Sequence, residues 1–125
     1  MKIRQYEKGD LELLRKFHSE AKFDFEFPDP EEKQVIIKKC LTHRGKVRMA
    51  AFGRLQANAY LLIDGTWKTP AERFEAIQIL EAAMIEQAKI LGIDQATAQV
   101  TPKFGSRLEL LGWHQGIGVT FSKNF

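Results

Sequence analysis

A mixed α/β (α+β) fold, a mixed sheet with helices on both faces, is predicted by three observations. One long helix, residues 69–92, has both of its ends marked by residue type. Segments of helical and strand periodicity alternate on either side of it, in the order strand, helix, helix, two strands, long helix, strand, short helix, strand. The chain, 125 residues with 44% hydrophobic and 28% charged side chains, is long enough for one core and has no linker or repeat, so a single domain over residues 1–125 is expected.

Each element has its own justification. Residues 1–6 (MKIRQY) read as a short strand, and Asp10 as the N-cap of a helix to about residue 21 with Leu11, Leu14, Phe17 and His18 on one face. Residues 23–30 (FDFEFPDP) alternate aromatic and acidic side chains before two prolines, which suits an edge strand or a loop laid over the core. A second helix is expected over residues 31–41, with Val35, Ile36 and Cys40 inward. Residues 46–55 and 58–64 are two strands whose short connection at Gln56 and Ala57 suits a hairpin.

The long helix follows, with Thr69 as cap, Pro70 at its first position, Glu72 completing a capping box, and Gly92 as its stop. Phe74, Ile77, Leu80, Met84, Ala88 and Leu91 recur at helical spacing as its inner face. Residues 95–101 (QATAQVT) alternate as a strand, residues 104–111 form a short helix stopped by Gly112, and residues 114–121 supply a last strand. A strand feeding a helix start leaves backbone N–H groups aimed at the junction, which is where an anion would dock.

Composition narrows the function classes. No run approaches the ~18 apolar residues of a membrane span, and residues 1–10 lack the apolar core of a secretory signal, so no membrane association and a cytoplasmic location are expected. The single cysteine forms no internal disulfide, and no His or Cys spacing offers a metal site. The net charge of +3 comes from interspersed signs rather than a basic block, so nucleic-acid binding is not expected, while a phosphorylated small molecule would be attracted.

IRQYEKGDLELL (residues 3–14), LLID (61–64), DGTWKTPAERF (64–74) and RLELLGW (107–113) together resemble the GNAT superfamily of acetyl-coenzyme A-dependent N-acetyltransferases, in order and spacing over nearly the whole chain. The resemblance implies the GNAT fold, a mixed, mostly antiparallel sheet in which the strands before and after the long helix are a parallel, splayed pair. It also implies that the strand carrying Leu62 and Ile63 holds the pantetheine arm of acetyl-CoA. In that family a glycine-rich turn presents N–H groups to the pyrophosphate. The matching positions here are Lys68, Thr69, Pro70, Ala71, Glu72 and Arg73.

These residues depart from the family turn in a physically meaningful way. Thr69, Ala71 and Arg73 carry side chains where glycine lets the backbone close on phosphate, and Pro70 removes a donor. A Thr69 to Glu72 capping box would consume further N–H groups and set a carboxylate beside the phosphate. Lys68 and Arg73 offset part of this repulsion if they pair with phosphate oxygens. The family's tyrosine, which protonates the departing thiolate, is replaced by Leu108; Tyr60 and His114 are the substitutes by residue type.

No carboxylate stands out as the base. Asp64 reads as a turn-former before Gly65, Asp24 and Glu26 lie in the segment that often covers the acceptor site in the family's fold and read equally as solvated loop residues, and Cys40 reads as core. His43 reads as a loop residue and Trp67 as a packing residue of the turn. Two functions are therefore expected from the sequence: a small N-acetyltransferase using acetyl-CoA on a small-molecule or peptide amine, with a homodimer possible, or a non-catalytic binding or assembly protein on the same fold. A looser similarity of the strand, tryptophan turn and long helix to small internal virion proteins of short-tailed bacteriophages goes with the second.

Overall fold

The computed structural model describes residues 1–125, which divide into two compact units: Met1–Arg54 with Gly116–Phe125, and Leu55–Gln115. The mixed α/β class holds, with an antiparallel three-stranded sheet and a separate parallel pair.

In the first unit, β1 (Lys2–Gln5), a 3₁₀ turn (Lys8–Asp10) and α1 (Leu11–Ala21) follow the expected order. Asp10 does not cap α1 with its side chain. Its carboxylate instead takes both guanidinium nitrogens of Arg4 at 2.8 and 2.9 Å and the Glu7 N–H at 2.9 Å. Two-pronged pairing between opposite charges outcompetes a single cap bond to a backbone N–H, so Asp10 fastens the entry of α1 to β1. Lys22, at φ 54°, ends the helix in the left-handed region.

The expected second helix over 31–41 is replaced by β2 (Val35–His43). Short turns at 29–35, closed by Glu32 N–H to Asp29 O and Val35 N–H to Glu32 O, consume the residues that were to start the helix. Val35, Ile36, Ile37 and Thr42 are β-branched, and the apolar spacing of so short a run fits either period. The hairpin is displaced as well. β2 pairs antiparallel with β3 (Lys46–Arg54) around Arg44 and Gly45, both at positive φ (53° and 75°), the geometry of a two-residue turn that follows strand twist.

Leu14 of α1, Cys40 of β2 and Val47 of β3 form the core of this unit, with Tyr6, Phe17, Phe27, Ala50 and Phe52 packed round it. Cys40 is thus core, as expected, although on a strand. Residues 23–30 are a loop laid over this core: Phe27 packs on it, Pro30 is fully buried, and His18 sits among the rings of Phe23, Phe25 and Phe27. The strand expected at 114–121 does not form. Gly118 takes φ 82°, a value that breaks an extended run.

The second unit contains β4 (Ala57–Ala59), α2 (Pro70–Ile90), β5 (Ala96–Ala98) and α3 (Pro102–Glu109). β4 is shorter than the expected strand and is no hairpin partner of β3; it pairs parallel with β5 instead, Ala57 with Ala96 through Ala59 with Ala98. The adjacent parallel pair flanking the long helix is therefore present. Two consecutive bonds, Gly92 N–H to Lys89 O and Ile93 N–H to Ala88 O, close α2, with Gly92 at φ 77° where a side chain would strain the turn.

Candidate functional site: an apolar cavity beside the parallel pair

Pairing between β4 and β5 ends at Ala59 and Ala98, and both chains continue as unpaired segments. Residues 60–63 and 99–101 are walls of one cavity of about 430 Å³, completed by α2, α3 and Trp113. The volume lies within the range of roughly 300–1,000 Å³ typical of small-molecule sites. Most of the wall is apolar: Ile77, Leu80 and Met84 from α2, Val100, and Phe104 and Leu108 from α3.

Local chemistry explains how these groups meet. Thr101 caps α3, its Oγ1 accepting from Phe104 N–H at 3.3 Å, with Pro102 preset for the first turn. At the other end, Gly112 at φ 89° allows Gly112 N–H to reach Glu109 O and Trp113 N–H to reach Leu108 O at 3.1 Å. That turn folds Trp113 back beside Leu108 at the cavity wall. Its indole Nε1–H then donates to Glu81 Oε2 at 3.3 Å, joining the end of α3 to the middle of α2.

The half-buried stripe of α2 runs Phe74, Ile77, Glu81, Met84 and Ala88. Leu80 and Leu91, expected inward, are 58% and 61% exposed. The stripe therefore passes through Glu81, and Leu80 contributes to the cavity rim rather than to a core. Glu81 and Trp113 were not singled out by sequence reasoning. A carboxylate at the i+4 position after Ile77 and three before Met84, interrupting an otherwise apolar stripe, was the available signal.

The start of α2 is a closed structure. Thr69 Oγ1 accepts from Glu72 N–H at 3.2 Å, and Glu72 Oε2 accepts from Thr69 N–H at 3.1 Å, so the capping box is complete. Ala71 is exposed on the first turn. Arg73 Nη1 donates to the carbonyls of Trp67 and Lys68 at 3.0 and 2.8 Å and braces the turn. Lys68 is held at φ 54° with its Nζ 5.7 Å from the Trp67 ring centroid. Asp64 accepts from Thr66 Oγ1 at 2.6 Å and from Thr66 N–H at 2.9 Å, and these bonds hold its carboxyl below the usual range. Asp64 is a turn-former here.

The structure thus brings Tyr60, Leu62, Ile63 and Leu108 to one cavity, and groups Lys68, Thr69, Ala71, Glu72 and Arg73 at the helix start that follows. His114 is exposed and does not line the cavity. Asp24 and Glu26 lie in the loop of the first unit, and His43 is exposed beside the hairpin turn. No group of His, Cys, Asp or Glu is arranged to hold a metal ion, and no helix is long and apolar enough to cross a membrane. The chain matches no protein-family model, no curated protein and no solved structure.

Proposed function

We propose that the chain is a GNAT-type N-acetyltransferase-like protein of the cytoplasm that takes acetyl-CoA weakly and acts on a small-molecule or peptide amine. The observation that carries this reading is the parallel β4–β5 pair opening at Ala59 and Ala98 into an apolar cavity. The segment 60–63 lines that cavity and then delivers the chain, through the turn at 64–68, to the start of α2.

The residues fit one end of the cofactor and not the other. Unpaired backbone at 60–63 and the walls from Ile77, Met84 and Leu108 suit a pantetheine arm and its acyl end. The helix start does not suit a pyrophosphate: Pro70 has no N–H, the capping box occupies those of Thr69 and Glu72, and the Glu72 carboxylate stands at the approach. Acetyl-CoA, when bound, supplies a thioester open to attack by an amine. For that chemistry Leu108 offers no proton, and Tyr60, 85% exposed, is the phenol among the lining residues.

The closed helix start and Leu108 favour a second reading, a non-catalytic binding or assembly protein on the same fold, phage-related by its looser similarity. Calorimetric titration separates the two. Acetyl-CoA is expected to bind with a Kd of ~0.1 mM or poorer, about −5 kcal/mol, with slow turnover. Submicromolar binding would show that the phosphate site lies elsewhere, and no binding at millimolar concentration would leave the second reading.

A further inference from the structure

We propose that Glu81 makes the cavity of the second unit selective for a compact apolar ligand bearing a cationic amine. Glu81 is the only residue with a charged side chain among those lining the cavity. It occupies a half-buried position on α2 between Ile77 and Met84, where an apolar side chain would complete the stripe. It makes no ion pair. Its one side-chain partner is the neutral indole N–H of Trp113, at 3.3 Å on Oε2.

A carboxylate has about four acceptor sites, so a single long bond leaves most of its capacity unused. Removing water from it by filling the cavity with a neutral ligand would leave that capacity unmet. An ammonium group would meet it with charge-assisted hydrogen bonds. An anionic ligand would be repelled. The walls from Leu80, Val100 and Phe104 then take the apolar body. Trp113 acts as a positioning residue, holding one carboxylate oxygen so that the other is offered to the ligand.

Under the transferase reading this ligand is the acceptor, so the inference rests on that reading for the ligand's fate. Amine binding itself needs no coenzyme, and the two can fail separately. The probes are 2-phenylethylamine, 2-phenylethanol and phenylacetate, which share one apolar body and differ in charge. They are titrated at neutral pH into the full chain by calorimetry, and into a Trp67→Phe chain by Trp113 fluorescence. The amine is expected to bind about 10-fold or more tighter than the alcohol, from the usual value of a charged hydrogen bond, with phenylacetate weakest.

Glu81→Gln keeps an acceptor for Trp113 and removes the charge. Its amine and alcohol affinities should fall within about 2-fold of each other, the alcohol's being unchanged. Trp113→Phe should lower the amine preference and leave alcohol binding in place. Equal binding of amine and alcohol by the unmodified chain, a preference that survives Glu81→Gln, or no binding of any probe would overturn the proposal. The first of these comparisons needs no variant, so a misfolded Glu81→Gln chain would not protect it. Failure of acetyl-CoA to bind, with the amine preference intact, would sink the transferase reading alone.

Discussion

Neutralising Glu72 should strengthen coenzyme binding while slightly weakening the fold. Glu72→Gln retains an amide oxygen that can accept from Thr69 N–H, as Glu72 does at 3.1 Å, so the capping box persists and only the charge goes. Loss of the favourable interaction with the positive end of α2 costs about 0.3–1 kcal/mol, at the low end because the site is exposed. A phosphate docked at the same helix start would stand ~4 Å from that carboxylate, where two unit charges in water repel by ~1 kcal/mol. Removing the repulsion should tighten coenzyme A about 5-fold.

Glu72→Ala should tighten it further, since it also frees the Thr69 N–H, at a larger stability cost of about 1 kcal/mol. Calorimetric titration with coenzyme A reads the affinity, and urea unfolding reads the stability. The opposite signs of the two effects are the signature of an anion competing with a capping carboxylate for one helix start. Unchanged or weaker coenzyme binding in both variants, alongside the expected loss of stability, would refute the placement of the pyrophosphate at α2.

Leu14 is 5% exposed in the core of the first unit, and Leu14→Ala should lower stability by ~2–3 kcal/mol, toward the low end of such changes because Phe17, Phe27 and Phe52 are only partly buried and can relax; an unchanged urea midpoint would count against this core. The hydrogen bond from Arg4, above all, holds the Asp10 carboxyl below its ordinary value, so its contribution to stability is present above that ordinary value and is lost as pH falls through the depressed folded one. Urea midpoints measured down the acid limb should therefore fall less steeply in Asp10→Asn than in the unmodified chain, and identical slopes would contradict the pairing. Burial pushes the Cys40 thiol up and leaves it 0% exposed, so a thiol reagent should label it only as fast as the protein opens; prompt stoichiometric labelling of native protein would be the contrary result. Leu108→Tyr places a phenol at the cavity wall, and if acetyl transfer occurs there turnover should rise about 10-fold or more, whereas unchanged turnover with coenzyme still bound would remove the cavity from the chemistry.

The sequence alone determined what depends on near neighbours. The start and stop of α2 were readable because Thr69, Pro70, Glu72 and Gly92 act through bonds that span only a few residues, and the structure shows those bonds. The occupation of the Thr69 and Glu72 N–H groups by the capping box follows from the same local chemistry. The short strand and helix at residues 1–21, Cys40 as core and the parallel neighbours either side of α2 were also legible, the last through the family resemblance.

Tertiary structure decided which of several locally allowed partners each remaining segment takes. Residues 31–41 hold apolar side chains at spacings that fit a helix or a strand, and pairing with β1 and β3 selected the strand. Asp10 left its expected cap for Arg4 because a charged donor lay within reach across the turn. Residues 114–121 alternate well enough for a strand yet make no ladder, since alternation supplies a face but no partner. The cavity was invisible for the same reason: Glu81 and Trp113 are 32 residues apart, and only the turn at Gly112 folds the indole back to the carboxylate.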